Sequence, residues 1–196
     1  MRIKVKICGI RTIEAAKAAI DAGADFLGFN FVPTSKRFID PQKALEIINS
    51  IGGQVKIVGV FQNALVGNVI QIASNLGLDF VQLHGYENNN YIKALKTPVI
   101  KSITTYDQPQ SIKADYFILD RVRRGEGEMV DLEKGAQLAF KLPLFFAGGL
   151  NSENVLEVVT KVRPFAVDVA GGVETDGVQD LEKIRLFVRN AKGVTL

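Results

Sequence analysis

The apolar residues of this chain follow two spacings that alternate from one end of the sequence to the other. Short β-branched segments have the two-residue period of strands, and the stretches between them have the period of amphipathic helices. The eight predicted strands are residues 3–8, 26–31, 56–61, 80–84, 99–103, 116–120, 144–147 and 166–169. The seven predicted helices are residues 13–22, 41–50, 65–76, 89–95, 132–138, 153–161 and 180–190.

Capping residues support these helix boundaries. Thr12, Ser152 and Asp180 are predicted N-caps, because a short polar side chain can accept a bond from an unpaired amide of the first helical turn. Pro41 suits a first turn, where a missing amide hydrogen costs nothing. Three glycines follow helices at points where a left-handed residue is expected, and they are Gly23, Gly77 and Gly193.

The regular alternation of strand and helix predicts a parallel sheet covered by helices. Eight units fit a closed (β/α)8 barrel, the TIM-barrel fold, whereas an open doubly wound sheet usually has about five or six strands. The connection over residues 104–113 is short and contains Pro109, so the fifth outer helix is predicted to be shortened or missing. With no linker or low-complexity segment, residues 1–196 are predicted to form a single α/β domain.

Side chains alternate along a strand, so the polar face of each strand identifies the residues that point into the barrel. In the first strand Lys6 and Cys8 lie on the polar face, and residues 3, 5 and 7 form the apolar face that must pack on helices. In the fourth strand Gln82 and His84 point inward by the same argument. Cys8 and His84 end their strands, which is where this fold places its chemistry.

Two aspartates occupy similar positions on other strands. Asp120 ends the predicted sixth strand, and Asp168 lies near the end of the eighth. Each of these residues has an ordinary structural interpretation as well, since strand-end aspartates often cap helices and a lone cysteine is often a small buried apolar residue. The meeting of Cys8, His84, Asp120 and Asp168 at one rim favours a reactive site.

Double glycines directly follow the seventh and eighth strands, as Gly148-Gly149 and Gly171-Gly172. Glycine lets the backbone approach a ligand closely and direct its N–H groups at an anion, and a helix N-terminus behind it adds a favourable dipole. A phosphate held between the loops after strands seven and eight recurs in this fold. The two turns therefore predict a small phosphorylated ligand.

Composition excludes several other partners and sites. The net charge is only +3, with basic residues spread along the chain, so we expect no nucleic-acid interface. One cysteine and one histidine supply neither a disulfide nor a structural zinc site. No segment approaches the roughly 20 consecutive apolar residues of a membrane helix. We expect a cytoplasmic protein without a metal site and without a membrane partner.

The residues at these positions resemble the phosphoribosylanthranilate isomerase family of tryptophan biosynthesis, an aromatic amino acid pathway. The resemblance covers nearly the whole chain in order, and its most specific motifs are Lys6-Ile7-Cys8-Gly9 and Gln82-Leu83-His84-Gly85. Further matching motifs are Ser35-Lys36-Arg37, Gly59-Val60-Phe61, Leu119-Asp120, Ala147-Gly148-Gly149-Leu150-Asn151, Ala166-Val167-Asp168-Val169 and Gly172-Val173-Glu174.

The resemblance implies an aldose–ketose isomerase without a cofactor. Its reaction would be the Amadori rearrangement of N-(5-phosphoribosyl)anthranilate to 1-(o-carboxyphenylamino)-1-deoxyribulose 5-phosphate by general acid–base catalysis. By motif, Asp120 would be the acid that opens the ring and Cys8 the base that removes the C2 proton. Arg37 would bind the anthranilate carboxylate through its guanidinium, and His84 and Asp168 would orient the substrate.

The residue beside the implied base has two interpretations. Lys6 lies on the same strand face as Cys8, so it is a candidate electrostatic aid to the thiolate that a cysteine base requires. It is equally a candidate ion-pair partner that only fills the barrel interior.

The sequence departs from the family pattern in three places. Residues 121–132 lack the usual aromatic residues after Asp120, so the resemblance does not imply that this loop closes over substrate. Ala170-Gly171-Gly172 replaces the usual Ser-Ser-Gly, which leaves backbone amides as the phosphate donors, and Gln179 replaces a common lysine.

Other readings of the barrel stay open. The related isomerase of histidine biosynthesis would have an aspartate where Cys8 stands, and indole-glycerol-phosphate synthase would need a catalytic lysine and glutamate pattern that is not visible. A barrel that binds a phosphorylated ligand without turnover is a third alternative, which the altered loop favours.

Overall fold

A computed structural model describes residues 3–104, 106, 109, 111–120 and 131–193. Eight parallel strands close into a barrel in chain order, and β8 pairs with β1. The strands are β1 (Lys4–Cys8), β2 (Phe26–Asn30), β3 (Lys56–Phe61), β4 (Phe80–Leu83), β5 (Val99–Ile103), β6 (Tyr116–Leu119), β7 (Leu144–Phe146) and β8 (Ala166–Val169). The predicted TIM barrel is confirmed, and each strand begins and ends within one residue of its predicted limits.

Seven α-helices cover the outside of this barrel in the described residues. They are α1 (Ile13–Asp21), α2 (Pro41–Ile51), α3 (Val66–Leu76), α4 (Asn89–Ala94), α5 (Leu132–Lys141), α6 (Val155–Val162) and α7 (Leu181–Lys192). The described residues between β5 and β6 contain no helix, as the proline-containing connection predicted. None of the helices described is long and apolar enough to cross a membrane.

Most of the predicted helix caps are observed. Thr12 Oγ1 accepts a bond from the Ala15 amide at the start of α1, and Asp180 accepts bonds from two amides at the start of α7. Gly77 ends α3 in the left-handed conformation that a side chain disfavours. Gly23 likewise has a positive φ, of 95°.

Two capping predictions are wrong. Ser152 does not cap α6, which begins at Val155, because the side chain of Asn151 accepts the bonds from the neighbouring amides instead. Gly193 is right-handed, with φ −69°, because its amide continues the helical pattern by donating to the Arg189 carbonyl.

The inward faces of the strands divide the barrel interior into an apolar end and a polar end. Toward the amino ends of the strands lies an aromatic cluster, in which the Phe26 and Phe145 rings meet edge to face with centroids 5.3 Å apart. The inward residues at the carboxyl ends are polar, and register brings Lys6 on β1 beside Asp168 on β8. Because the amino end is packed with apolar rings, polar chemistry is confined to the carboxyl end.

After β8 the chain forms an additional structure that the sequence pattern did not predict. A short 3₁₀ helix, Gly171–Val173, leads into an antiparallel hairpin of β9 (Glu174–Thr175) and β10 (Val178–Gln179). Arg11, from the loop after β1, ties this hairpin to the loop after β2 by donating to the carbonyls of Gly177 and Lys36. The hairpin is thereby held at the rim of the barrel.

Candidate active site

A cavity of about 490 Å³ opens at the carboxyl ends of the strands. Its wall includes Arg37, Asp120 and Asp168, together with residues 147–151 and 169–172. The structure thus brings three of the predicted site residues and both glycine turns to one cavity. The altered loop of residues 121–130 lies outside the described residues.

Cys8 lies at the end of β1 with 8% of its surface exposed. Lys6, on the same strand face, is fully buried, and its Nζ donates to Asp168 Oδ1 over 2.8 Å. Gly28 pairs with Cys8 across to β2, and a Cβ at Gly28 would lie 2.8 Å from Cys8 Sγ and 3.1 Å from Lys6 Nζ. The thiol and the ammonium therefore share a space that only glycine leaves open.

Charges around the thiol act in opposite directions. Burial raises the pKa of Cys8 above its ordinary value because it disfavours the thiolate, and the Lys6 ammonium opposes this increase. Burial alone would lower the pKa of Lys6, but attraction to Asp168 gives a net increase. Lys6 therefore stays protonated, and its charge favours a thiolate at Cys8, as the Arg37 charge does to a smaller extent, whereas the Asp168 carboxylate opposes both.

Arg37 is held at the cavity wall by a bidentate ion pair. Its Nε and Nη2 donate to the two carboxylate oxygens of Glu174 over 2.6 and 2.7 Å. Its side chain lies across Gly9, where φ is +79° and a Cβ would approach Arg37 Cδ to 2.7 Å. With 21% of the side chain exposed, Arg37 is not an ordinary surface arginine. The sequence analysis did not predict the role of Glu174, because nothing in the sequence indicates that two residues 137 positions apart are paired.

The glycine turns have backbone conformations and contacts that exclude side chains. Gly148 and Gly149 have φ values of 87° and 81°, in the left-handed region that favours glycine. A Cβ at Gly172 would lie 1.9 Å from the Leu150 carbonyl oxygen, so the turn after β8 packs directly on the turn after β7. Gly171 remains exposed at the cavity wall. This geometry suits backbone donation to an anion.

His84 directly follows β4 on its inward face, and Gln82 lies two residues before it. Burial lowers the pKa of His84, because it disfavours the imidazolium, while the Asp120 carboxylate opposes this decrease. The imidazole is therefore neutral at neutral pH. Gln82 Nε2 lies 2.5 Å from His84 Nε2.

A second buried ion pair stiffens the loops beside His84. Lys101 Nζ donates to Glu87 Oε2 over 2.8 Å and to the Gly85 carbonyl over 2.6 Å, and the Glu87 carboxylate accepts bonds from the amides of Asn63 and Gly85. These contacts join the loops after β3 and β4. The sequence signal was a lysine within the apolar fifth strand.

No group of three or more His, Cys, Asp or Glu residues in the described part of the chain is placed to hold a metal ion.

Comparison with known proteins identifies relatives over nearly the whole chain. The family model for N-(5'-phosphoribosyl)anthranilate (PRA) isomerase matches residues 5–190. An N-(5'-phosphoribosyl)anthranilate isomerase of Bacillus cereus (strain AH187) is 43% identical over 201 aligned positions, which cover 97% of this chain and 98% of the relative.

Two solved structures have the same architecture. Phosphoribosyl anthranilate isomerase from Thermus thermophilus is 35% identical with a TM-score of 0.87, over 96% of this chain and 98% of that one. A phosphoribosyl anthranilate isomerase in complex with reduced 1-(o-carboxyphenylamino)-1-deoxyribulose 5-phosphate is also 35% identical, with a TM-score of 0.85 over 98% of this chain and 100% of that one.

Proposed function

The chain belongs to the N-(5'-phosphoribosyl)anthranilate isomerase family, and we propose that it catalyses this isomerisation with Cys8 as the general base and Asp120 as the general acid. The protein is an aldose–ketose isomerase of tryptophan biosynthesis. The observation that carries the assignment is the cavity in which Asp120, Arg37 and both glycine turns meet at the strand ends, next to the thiol of Cys8.

The reaction requires a proton at one atom of the sugar and loss of a proton from another. Protonation of the ring oxygen by the acid allows its bond to C1 to break, and the anthranilate nitrogen forms an imine with C1. The base then removes the C2 proton, whose electron pair forms a double bond between C1 and C2. When C1 regains a proton and the C2 hydroxyl loses its own, the aminoketose results with no net change in atoms.

The two aspartates of the cavity have different neighbours and positions. Asp168 accepts a hydrogen bond from the ammonium of Lys6 in a buried ion pair, and this contact fixes its position. Asp120 lies at the end of β6 on the cavity wall and within electrostatic reach of His84. We therefore assign proton donation to Asp120 and give Asp168, with His84, the role of orienting the substrate and the base.

The direct test supplies the substrate. Phosphoribosylanthranilate is generated from anthranilate and phosphoribosyl pyrophosphate by the enzyme that makes it, and the purified protein is added. We expect conversion to the aminoketose phosphate at a rate proportional to protein concentration. Binding of the substrate without conversion would instead support the non-catalytic alternative.

The phosphate is proposed to lie on the amides of Gly148, Gly149, Gly171 and Gly172. We expect Gly171→Val to raise KM by about tenfold to a hundredfold, because the valine side chain would keep the phosphate away from the backbone amides. A hydrogen bond from an amide N–H to a charged group contributes about 1.5–3 kcal/mol. We expect kcat to change less. Steady-state kinetics on the variant measure this. Gly67→Val is the matched control, since Gly67 lies in α3 with nothing within 4 Å of its Cβ position. An unchanged KM in Gly171→Val would exclude the glycine turns as the phosphate site.

Arg37 is proposed to recognise the carboxylate of the anthranilate ring, aimed by its ion pair with Glu174. We expect Arg37→Ala to lower kcat/KM by about tenfold to a hundredfold, the equivalent of about 1.5–3 kcal/mol. The loss should disappear with a phosphoribosyl-aniline substrate, which has no carboxylate for Arg37 to bind. Arg185→Ala, a change in an exposed pair on α7, is the control. Equal losses with both substrates would assign Arg37 a structural role only.

We also propose that the protein is cytoplasmic, because a reducing environment keeps Cys8 in the reduced thiol form that the proposed reaction needs.

A further inference from the structure

A buried ion pair behind the barrel wall holds the backbone around the chain's only histidine, His84. Lys101 follows Ile100 on β5, and Ile100 belongs to the aromatic cluster inside the barrel. Because neighbouring side chains on a strand point to opposite faces, Lys101 points outward, toward the helices. The side chains of Lys101 and Glu87 are only 5% and 2% exposed. The pair therefore acts on His84 from outside the barrel.

The Lys101 ammonium bonds the carbonyls on both sides of His84. Its Nζ lies 2.6 Å from the Gly85 oxygen and 3.4 Å from the Leu83 oxygen. Glu87 Oε2 accepts from Lys101 over 2.8 Å and from the Gly85 amide over 2.9 Å. The ammonium and the amide can only donate, and the carbonyls and the carboxylate can only accept, so the direction of each bond is fixed. The peptide groups that flank the histidine are thus bonded to the pair.

The loop after β3 closes this arrangement from the other side. Glu87 Oε1 accepts from the Asn63 amide over 2.8 Å, and Asn63 Oδ1 accepts from the Tyr86 amide over 2.8 Å. Asn63 has a positive φ of 51°, and a Cβ at Gly85 would collide with the Asn63 side chain. The turn that follows His84 is therefore closed to side chains and bonded along its length.

Stability alone gives little reason for a buried pair at this place. Burial of two charges costs free energy that their attraction only partly offsets, and apolar residues of the same volume often stabilise a fold equally well. Burial acts to raise the pKa of Glu87, but the bonds from the Lys101 ammonium and from backbone amides outweigh it, and the pKa lies below its usual value. The carboxylate is therefore charged at neutral pH, and its bonds go to the loop that carries His84.

We propose that Lys101 and Glu87 are positioning residues for His84, which fix the backbone on both sides of the histidine and thereby the place of its imidazole inside the barrel. The catalytic consequence rests on the proposed function, in which His84 orients the substrate. A displaced imidazole would leave the substrate misoriented, and a displacement of about 1 Å can lower a rate by about a hundredfold.

The variant that carries both Lys101→Met and Glu87→Gln removes the two charges together, so no unpaired charge stays buried. We expect a folded protein by circular dichroism, with kcat/KM lower by about tenfold to a hundredfold. Most of the loss should be in kcat, because the proposed phosphate and carboxylate contacts lie elsewhere. Lys56→Met is the matched control, since it separates another strand lysine from its carboxylate partner, Asp79, at the amino end of the barrel. Steady-state kinetics should give wild-type values for this control.

A double-mutant cycle shows whether the loss depends on His84. In a His84→Ala background, the same two substitutions should change kcat/KM by no more than about twofold, because the imidazole that they position is absent. Equal losses in both backgrounds would mean that the pair supports only the fold, and this result would overturn the proposal.

Proton NMR tests the position of the ring without substrate, because a single histidine gives a single pair of imidazole signals. We expect one narrow pair in the wild-type protein, and additional or exchange-broadened signals in the double variant. Glu87→Gln alone keeps the shape of the side chain and is the milder variant if the double variant does not fold. Imidazole signals that stay unchanged in the folded variants would overturn the proposal. Absence of turnover in the wild-type protein would contradict the proposed function instead, and the imidazole signals would still decide whether the pair positions His84.

Discussion

Cys8→Ser is expected to lower kcat by about a hundredfold to ten-thousandfold, the range in which general acid–base catalysis contributes. The substitution keeps the size of the side chain but replaces a thiol, whose ordinary pKa is about 8.5, with an alcohol that is hardly ionised at neutral pH. The Lys6 ammonium favours an anion at this position, but a single cation cannot lower the pKa of an alcohol enough to ionise it at neutral pH. Turnover of phosphoribosylanthranilate measures the effect.

The fold should tolerate this change, because serine fits the space that Gly28 leaves open. We expect an unaltered circular dichroism spectrum and an almost unchanged KM, since the phosphate and carboxylate contacts lie elsewhere in the cavity. Near-normal turnover by Cys8→Ser would show that another group removes the C2 proton.

The pH dependence follows from the same group. A base must be deprotonated to act, so kcat/KM should rise with pH as Cys8 ionises. Because burial raises the pKa of the Cys8 thiol, the rising limb should lie at a higher pH than the ordinary pKa of a free cysteine. Removal of the Lys6 cation by Lys6→Gln should move the limb to still higher pH and lower the rate at neutral pH.

The thiol can be followed without substrate. Cys8 is the only cysteine of the chain, so the pH profile of its alkylation rate reports this group alone. Lys4→Gln is the control, because Lys4 lies on the same face of β1 but its Nζ is placed over the Phe165 ring, 4.9 Å from its centroid. Coincident profiles for Lys6→Gln and wild type would leave Lys6 as an ion-pair partner only.

The sequence predicted the parts of this site that depend on local periodicity. Alternation along β1 and β4 directs Cys8 and His84 inward, since one face of each strand must be apolar to pack on helices. The same rule places Asp120 and Asp168 at strand ends, and closure of eight strands brings those ends together. The helix between β5 and β6 was expected to be short or missing because Pro109 interrupts a short connection.

Contacts between distant residues were not predictable in this way. Arg37 and Glu174 pair only because the hairpin after β8 is held at the rim, and no periodic pattern encodes that placement. Gly28 leaves space for a thiol on the neighbouring strand, which depends on register between β1 and β2. Asn151 replaced Ser152 as the residue that organises the start of α6, because the path of the preceding turn decides which polar side chain reaches the amides.

Asp120→Asn is expected to slow ring opening severely while substrate still binds. Asparagine keeps the shape of the side chain but has no proton to transfer to the ring oxygen, so kcat should fall by about a hundredfold to ten-thousandfold. Reduced 1-(o-carboxyphenylamino)-1-deoxyribulose 5-phosphate provides the binding test, since it has no ring to open. Its affinity should change little, because its phosphate and carboxylate contact other residues in the proposed arrangement.

Asp115→Asn is the control for Asp120→Asn. It also removes a carboxylate beside β6, but at a position that has no part in the proposed proton transfer. Asp115 precedes β6 at the opposite end from Asp120, and its Oδ2 accepts a bond from the Val99 amide, which an asparagine oxygen can also accept. We expect wild-type turnover from this control.

Asp168 is paired with Lys6, so it cannot replace Asp120 as the proton donor unless that buried ion pair breaks. Turnover retained in Asp120→Asn but lost in a double variant with Asp168→Asn would therefore transfer the acid role to Asp168 and require Lys6 to release it.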